Sequence, residues 1–256
     1  MRVMIKRKLL RLLDTMQSMH KIIAGADIHS AEGYVEDCRQ ASEAIEGAVT
    51  EHTSGLEAMS AVFAAYRSNL SSLHTCAASG MLRASVLSGL DDTLDQAASL
   101  ITGLPDTFLV VFMPYKAEMW DSMESIWLAC REDLACECQV MPLPYYEYDK
   151  ALGGWRQCYD GERFPKEVPV TDYRQYSLES ACPDLAYIHN PYDDCNYVTS
   201  IDPAYYSSVL KKYVGKLVYV PYYVTSGFFS QWELPAYRNV DYMICLLYTS
   251  PSPRDA

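Results

Sequence analysis

The chain has 256 residues and a net charge of −12, with half of its residues hydrophobic and 21% charged. That composition excludes a wholly disordered chain, a collagen and a coiled-coil rod, and the acidic balance argues against a nucleic-acid partner. Nine cysteines without regular spacing read as reduced intracellular thiols, not as a disulfide framework.

The N-terminal stretch opens with basic residues as a signal peptide does, but Arg11 and Asp14 interrupt its apolar run. Val3, Ile5, Leu9, Leu12, Leu13, Met16, Met19 and Ile23 recur near helical spacing instead, which predicts a first bundle helix. Its basic cluster, Lys6, Arg7, Lys8 and Arg11, offers a peripheral contact to an anionic membrane surface, although a solvated helix face is the plainer reading. No run approaches the ~18 consecutive apolar residues of a membrane span, so a cytoplasmic protein is expected. The first 104 residues lack proline and are rich in Ala, Ser, Leu, Met and Glu. Helices are predicted at roughly 2–23, 30–51, 55–78 and 81–101, with breaks at Gly25 and Thr53–Gly55 and weaker ones at Ser79–Gly80 and Ser88–Gly89. Stripes such as Leu56, Met59, Val62, Phe63, Tyr66, Leu70 and Leu73 make residues 1–104 a helical bundle, accessory or self-associating. His20, His29, His52 and His74 are too scattered to ligate a metal.

All thirteen prolines and all four tryptophans fall after Leu104. Thr107–Met113 reads as a strand buried on both faces, followed by an amphipathic helix over 117–133. A strand near 137–143, a polar excursion containing Gly153, Gly154 and Gly161, and a helix-sized segment at 177–181 come next. Strands at 185–189 and 216–220 flank a helix opened by Pro203, and a short helix at 235–241 precedes apolar Tyr242–Ile244. Alternating strands and helices predict a Rossmann-like α/β domain with a parallel sheet over residues 105–244.

Pro114-Tyr115, Pro144-Tyr145, Pro191-Tyr192 and Pro221-Tyr222 are expected where four strands leave that sheet, because proline cannot continue a central strand. In an open parallel sheet the carboxyl ends share one edge, where ligands bind. The four tyrosines would then line one cleft, their rings against sugar or polyol carbons. Lys116, His189, Asn190, Asp193 and Asp194 fall at the same edge, with Asp172 and Tyr173 in the intervening loop. His189 is the candidate general base, with a hydrogen-bonded structural histidine as the alternative. The spacing of His189, Asp193, Asp194 and Cys195 fits no metal motif, and Cys130, Cys136 and Cys138 lack a second pair for zinc, so no metal is expected. No GxGxxG, Walker A, GxSxG or HExxH pattern occurs.

Residues Phe112–Trp127 (FMPYKAEMWDSMESIW), Val170–Arg174 (VTDYR) and Ile188–Asn196 (IHNPYDDCN) resemble bacterial proteins of the CDP-glycerol glycerophosphotransferase family. The resemblance covers most of 105–244 and is weak over the helices. It implies the N-terminal, acceptor-side half of a GT-B-type fold of two facing Rossmann-like domains. The implied activity moves a phosphoglycerol or glycosyl unit from a nucleotide-linked donor, CDP-glycerol or a nucleotide sugar, to an acceptor hydroxyl in cell-wall or surface-polymer synthesis. His189 would act as base, while Tyr115, Lys116, Tyr145, Asp172, Tyr173, Asn190, Tyr192 and Asp193 would shape the side that meets a polyol, glycan or polymer acceptor. No cofactor is expected within these residues, since the donor belongs to the missing second domain. The departure is the end: residues 245–256 (CLLYTSPSPRDA) resemble translated adapter read-through, so a non-native tail and a truncated, inactive fragment are expected. The alternative is a non-catalytic polyol- or glycan-binding scaffold assembled through its helices.

Overall fold

A computed structural model describes residues 1–26, 28–52, 57–78, 84–151, 153–223 and 234–244. The expected breaks at Thr53–Gly55 and Ser79–Gly80 and the tail 245–256 lie outside the described residues. The chain divides into two compact units, Met1–Asp106 and Thr107–Ala256.

The first unit holds four helices, α1 (Val3–Gly25), α2 (Ile28–His52), α3 (Glu57–Ala78) and α4 (Ala84–Gly103). Each packs on two neighbours, α4 closing back on α1. Leu13, Met16, Ile45, Phe63, Leu70, Leu90, Leu94 and Ile101 fill the core. The expected break at Ser88–Gly89 is absent: both residues lie inside α4. A helical glycine costs only about 1 kcal/mol against alanine, which packing of the apolar stripe overrides. A polar layer crosses the core, where buried His20 meets Asp91 Oδ1 through Nδ1 (2.7 Å) and Tyr66 Oη through Nε2 (2.8 Å). Lys6 of the basic cluster turns inward onto Asp106 (2.7 Å) and the carbonyl of Leu104 (2.8 Å), while Arg7, Lys8 and Arg11 lie on the exposed side of α1.

The second unit is α/β. Its strands β1 (Phe108–Met113), β2 (Cys136–Val140), β5 (Leu185–Ile188), β7 (Lys216–Tyr219) and β8 (Tyr242–Met243) form a parallel sheet in the order β2-β1-β5-β7-β8. Leu109, Val111 and Met113 of β1 point to one face, toward α6 (Leu178–Ala181), α7 (Ser207–Leu210) and α8 (Pro235–Asn239). Val110 and Phe112 point to the other, where Trp120 and, from α5 (Asp121–Glu132), Met123 and Trp127 pack against them. Burial on both faces explains the continuous apolar run of β1. Among the described residues no helix is long and apolar enough to cross a membrane.

Two elements differ from expectation. The helix opened by Pro203 is a 3-10 turn, Pro203–Tyr205, followed by the four-residue α7. The polar excursion is folded: β3 (Tyr145–Asp149), β4 (Gly154–Cys158) and β6 (Thr199–Ile201) form an antiparallel sheet in the order β4-β3-β6. Gly153, at φ 62°, makes the left-handed turn of the β3–β4 hairpin.

Candidate functional site

The order β2-β1-β5-β7-β8 places the first two strands on one side and sends the chain across to the other after β2. The switch in direction falls between β1 and β5, the position where ligands enter open α/β sheets. Pro114-Tyr115, Pro191-Tyr192 and Pro221-Tyr222 follow β1, β5 and β7 at that carboxyl edge. Pro144-Tyr145 does not end a strand of this sheet. Strand β2 stops at Val140, and Tyr145 starts β3 of the small sheet.

The small sheet fills the switch-point crevice. Tyr115, Tyr145 and Ile201 share one buried cluster, and the Tyr115 ring stands edge-on to Tyr145 (5.4 Å), His189 (5.1 Å) and Tyr222 (6.4 Å). His189 is fully buried beneath it. Its Nε2 accepts the backbone N–H of Tyr115 (3.0 Å), which places the ring proton on Nδ1, facing Ser122 Oγ at 3.4 Å. Burial lowers its pKa from 6.5 to about 3, so the ring is neutral. The Nε2 lone pair that a general base would use is thus occupied by the chain itself. Burial also raises the Tyr115, Tyr145 and Tyr222 phenols, Tyr145 further through the Asp160 charge, so all three serve as hydroxyl donors.

Beside this plug lies an open polar cavity of about 360 Å³. Lys116, Arg156 and Arg163 supply its cations, Glu118, Glu147 and Asp160 its carboxylates, and Tyr145, Gln157, Cys158 and Tyr159 complete the wall. Asp160 is saturated by Ala117 N–H (3.3 Å), the Tyr145 hydroxyl (3.2 Å) and Arg163 Nη1 (3.1 and 3.2 Å). Glu147 is looser: Lys116 Nζ holds Oε1 at 2.7 Å, while Oε2 has only a long contact to Arg156 (3.3 Å) and one to the Cys158 thiol (3.9 Å). A ligand hydroxyl can therefore donate to Glu147 with little desolvation of an existing pair. Lys116 also lies 5.4 Å from the centre of the Tyr145 ring.

The remaining expected site residues are distributed around this edge. Asp172 caps the turn Tyr173–Gln175 and is held by Arg174 (Nη2 at 2.7 Å), whose hydrogen bonds and charge lower its pKa. Tyr173 stacks edge-on with the cavity residue Tyr159 (5.1 Å). Tyr192 shares a hydrogen bond with the Tyr223 hydroxyl (2.8 Å). Asn190 Oδ1 accepts the N–H of Tyr192 (2.8 Å), while its buried Nδ2 has no hydrogen-bond partner among the described residues. Asp193, buried at φ 48°, accepts the N–H and Oγ of Ser207 (Oγ at 2.7 Å) and anchors α7. Of the expected set, Lys116 and Tyr145 reach the cavity, and Tyr115 and His189 form its backing.

Glu147, Arg156, Asp160 and Arg163 were not anticipated from sequence. The signal available was Gly153-Gly154 between two five-residue runs, a hairpin turn signature. Among the described residues no group of three or more His, Cys, Asp or Glu side chains is arranged to hold a metal ion. No protein family matches the chain, and neither a curated protein nor a solved structure matches it. Fold and site define a helical bundle followed by a parallel α/β domain with a polar cavity at its carboxyl edge.

Proposed function

We propose that residues 105–244 are the acceptor-side domain of a GT-B-type transferase that moves a phosphoglycerol or glycosyl unit from a nucleotide-linked donor to an acceptor hydroxyl, in surface-polymer synthesis. The observation that carries the reading is the polar cavity beside the β1 exit, where Lys116 holds Glu147 at 2.7 Å. The acceptor hydroxyl donates to Glu147, which takes its proton as the bond to the transferred unit forms and the bond to the leaving nucleotide breaks, and Lys116 orients that carboxylate. Asp160, already saturated, fixes Tyr145 and the start of the segment after Lys116. His189 acts through Tyr115, holding the turn that aims Lys116. CDP-glycerol or a nucleotide sugar is held by a second domain facing this one. Residues 1–104 serve assembly, with Arg7, Lys8 and Arg11 at the inner membrane face.

The test is a titration of the chain with polyol, polyol-phosphate and glycan acceptors, followed by NMR of backbone amides. Binding should centre on Lys116, Glu147 and Arg156, and Glu147→Gln should weaken it about tenfold, the worth of one charge-assisted hydrogen bond. Unchanged binding in that variant would remove Glu147 from the site.

The engagement of both His189 nitrogens favours a second reading, binding of a polyol or glycan without turnover, with the helical unit as scaffold. The two separate on a donor assay with the whole protein: transfer from a nucleotide-linked donor supports the first, binding without transfer the second.

A further inference from the structure

At the opposite, amino-terminal edge of the parallel sheet, three cysteines meet on the face covered by α5. Cys136 and Cys138 are two residues apart on β2, so their side chains project to the same side of the sheet. They sit beside Phe108 and Val110 of β1 in the pairing register. Cys130 lies in the last turn of α5, one helical turn beyond buried Trp127, and is packed against the same apolar cluster. Helix α5 packs on β2, and Cys130, Cys136 and Cys138 all lie against the one apolar cluster between them. All three are free and partly accessible. Among the described residues, β2 is the outermost strand of its sheet.

We infer that this cluster is a redox-active dithiol site, in which Cys130 closes a disulfide with Cys136 or Cys138 at the expense of a low-molecular-weight disulfide. Cys130 is the obligatory partner. Neighbours two apart on one strand face are separated by about 6.6 Å along the strand, beyond the Cβ–Cβ span of a disulfide. Cys136 serves as one entry point, and Cys138 takes the same part in its absence. The Cys136 thiolate attacks one sulfur of the incoming disulfide, that S–S bond breaks, and one small thiolate leaves. The Cys130 thiolate then attacks the Cys136 sulfur of the mixed disulfide and displaces the second small thiolate. Two protein thiols are oxidised to one disulfide and one small disulfide is reduced to two thiols. Transfer of the same link to Cys138 by exchange makes the cluster a three-position relay.

Burial raises all three thiols above their ordinary value, Cys138 to about 12, with neighbouring thiols and Asp133 adding to the effect. The thiolate fraction at neutral pH is small, so closure is slow and accelerates about tenfold per pH unit. This behaviour separates the site from a surface cysteine with an unperturbed thiol, which levels off near pH 8.5.

The test uses the full chain, reduced, desalted and exposed to oxidised glutathione, then digested with trypsin without reduction. Cleavage at Arg131 separates Cys130 from the other two, so closure joins the peptides 117–131 and 132–150, which contain no other cysteine. The joined pair should form in the folded monomer and be lost in Cys130→Ser. It should survive in Cys136→Ser and in Cys138→Ser singly, and disappear in the double variant, with helical circular dichroism unchanged in each. Absence of the joined pair in the native chain overturns the inference. So does its formation only between molecules or only in urea, or a disulfide in 132–150 that persists in Cys130→Ser.

Discussion

Lowering the pH from 7 to 5 should remove about 2 kcal/mol from the stability of the α/β unit through His189 alone. The ring is fully buried with Nε2 occupied by the Tyr115 N–H, and burial holds its pKa at about 3. In the unfolded chain it returns to about 6.5. Between these values the unfolded state binds a proton that the folded state refuses, so the contribution is complete above pH 6.5 and falls as the pH drops toward 3. At pH 5 the unfolded chain gains about 1.5 pH units of protonation free energy, which at about 1.36 kcal/mol per unit gives the figure above. The assay is urea unfolding followed by the fluorescence of Trp120 and Trp127, which lie in the same unit. His189→Gln can accept the Tyr115 N–H through its amide oxygen but cannot titrate. It should therefore lose about 2 kcal/mol less than the native chain between the two pH values. Equal losses in both proteins, or an imidazole that titrates near 6.5 in the folded state, would refute the burial argument.

Removing the Tyr66 hydroxyl with Tyr66→Phe leaves buried His20 Nε2 without its 2.8 Å partner and should destabilise the helical unit by about 1–3 kcal/mol, read as a lower melting temperature of the helical signal. Gly153→Ala forces a Cβ into the left-handed region at φ 62° and should cost about 1–2 kcal/mol. Because the hairpin carries Glu147 and Arg156, the same change should also weaken acceptor binding at the cavity.

The helical unit is legible because its stripes repeat near helical spacing and no proline interrupts them, and packing simply carries α4 through Gly89. The strands of the parallel sheet are legible for a different reason: burial on both faces demands continuous apolar runs such as Phe108–Met113. The hairpin escaped because Tyr-Tyr-Glu-Tyr-Asp and Gly-Trp-Arg-Gln-Cys show no apolar alternation. One face carries the cavity charges Glu147 and Arg156, and the other exposes Tyr148 and Trp155. Missing the hairpin hid both consequences of it. Its Tyr145 packs on the Tyr115 ring that stands over His189, a residue which from sequence alone stands open at a strand end, and it brings Glu147 and Arg156 beside Lys116. The prolines marked the edge correctly at β1, β5 and β7, where a donor-less residue must leave the ladder. At Pro144 the same residue type marks the passage into a second sheet instead.

The central claim is that the acceptor hydroxyl meets Glu147 in the cavity beside Lys116. Its most direct test is calorimetric titration of the chain with a polyol or polyol-phosphate acceptor, comparing the native protein with Glu147→Gln and Lys116→Met. Saturable binding is expected, falling about tenfold in each variant, with an unchanged unfolding transition. Binding of equal strength in all three proteins would contradict it.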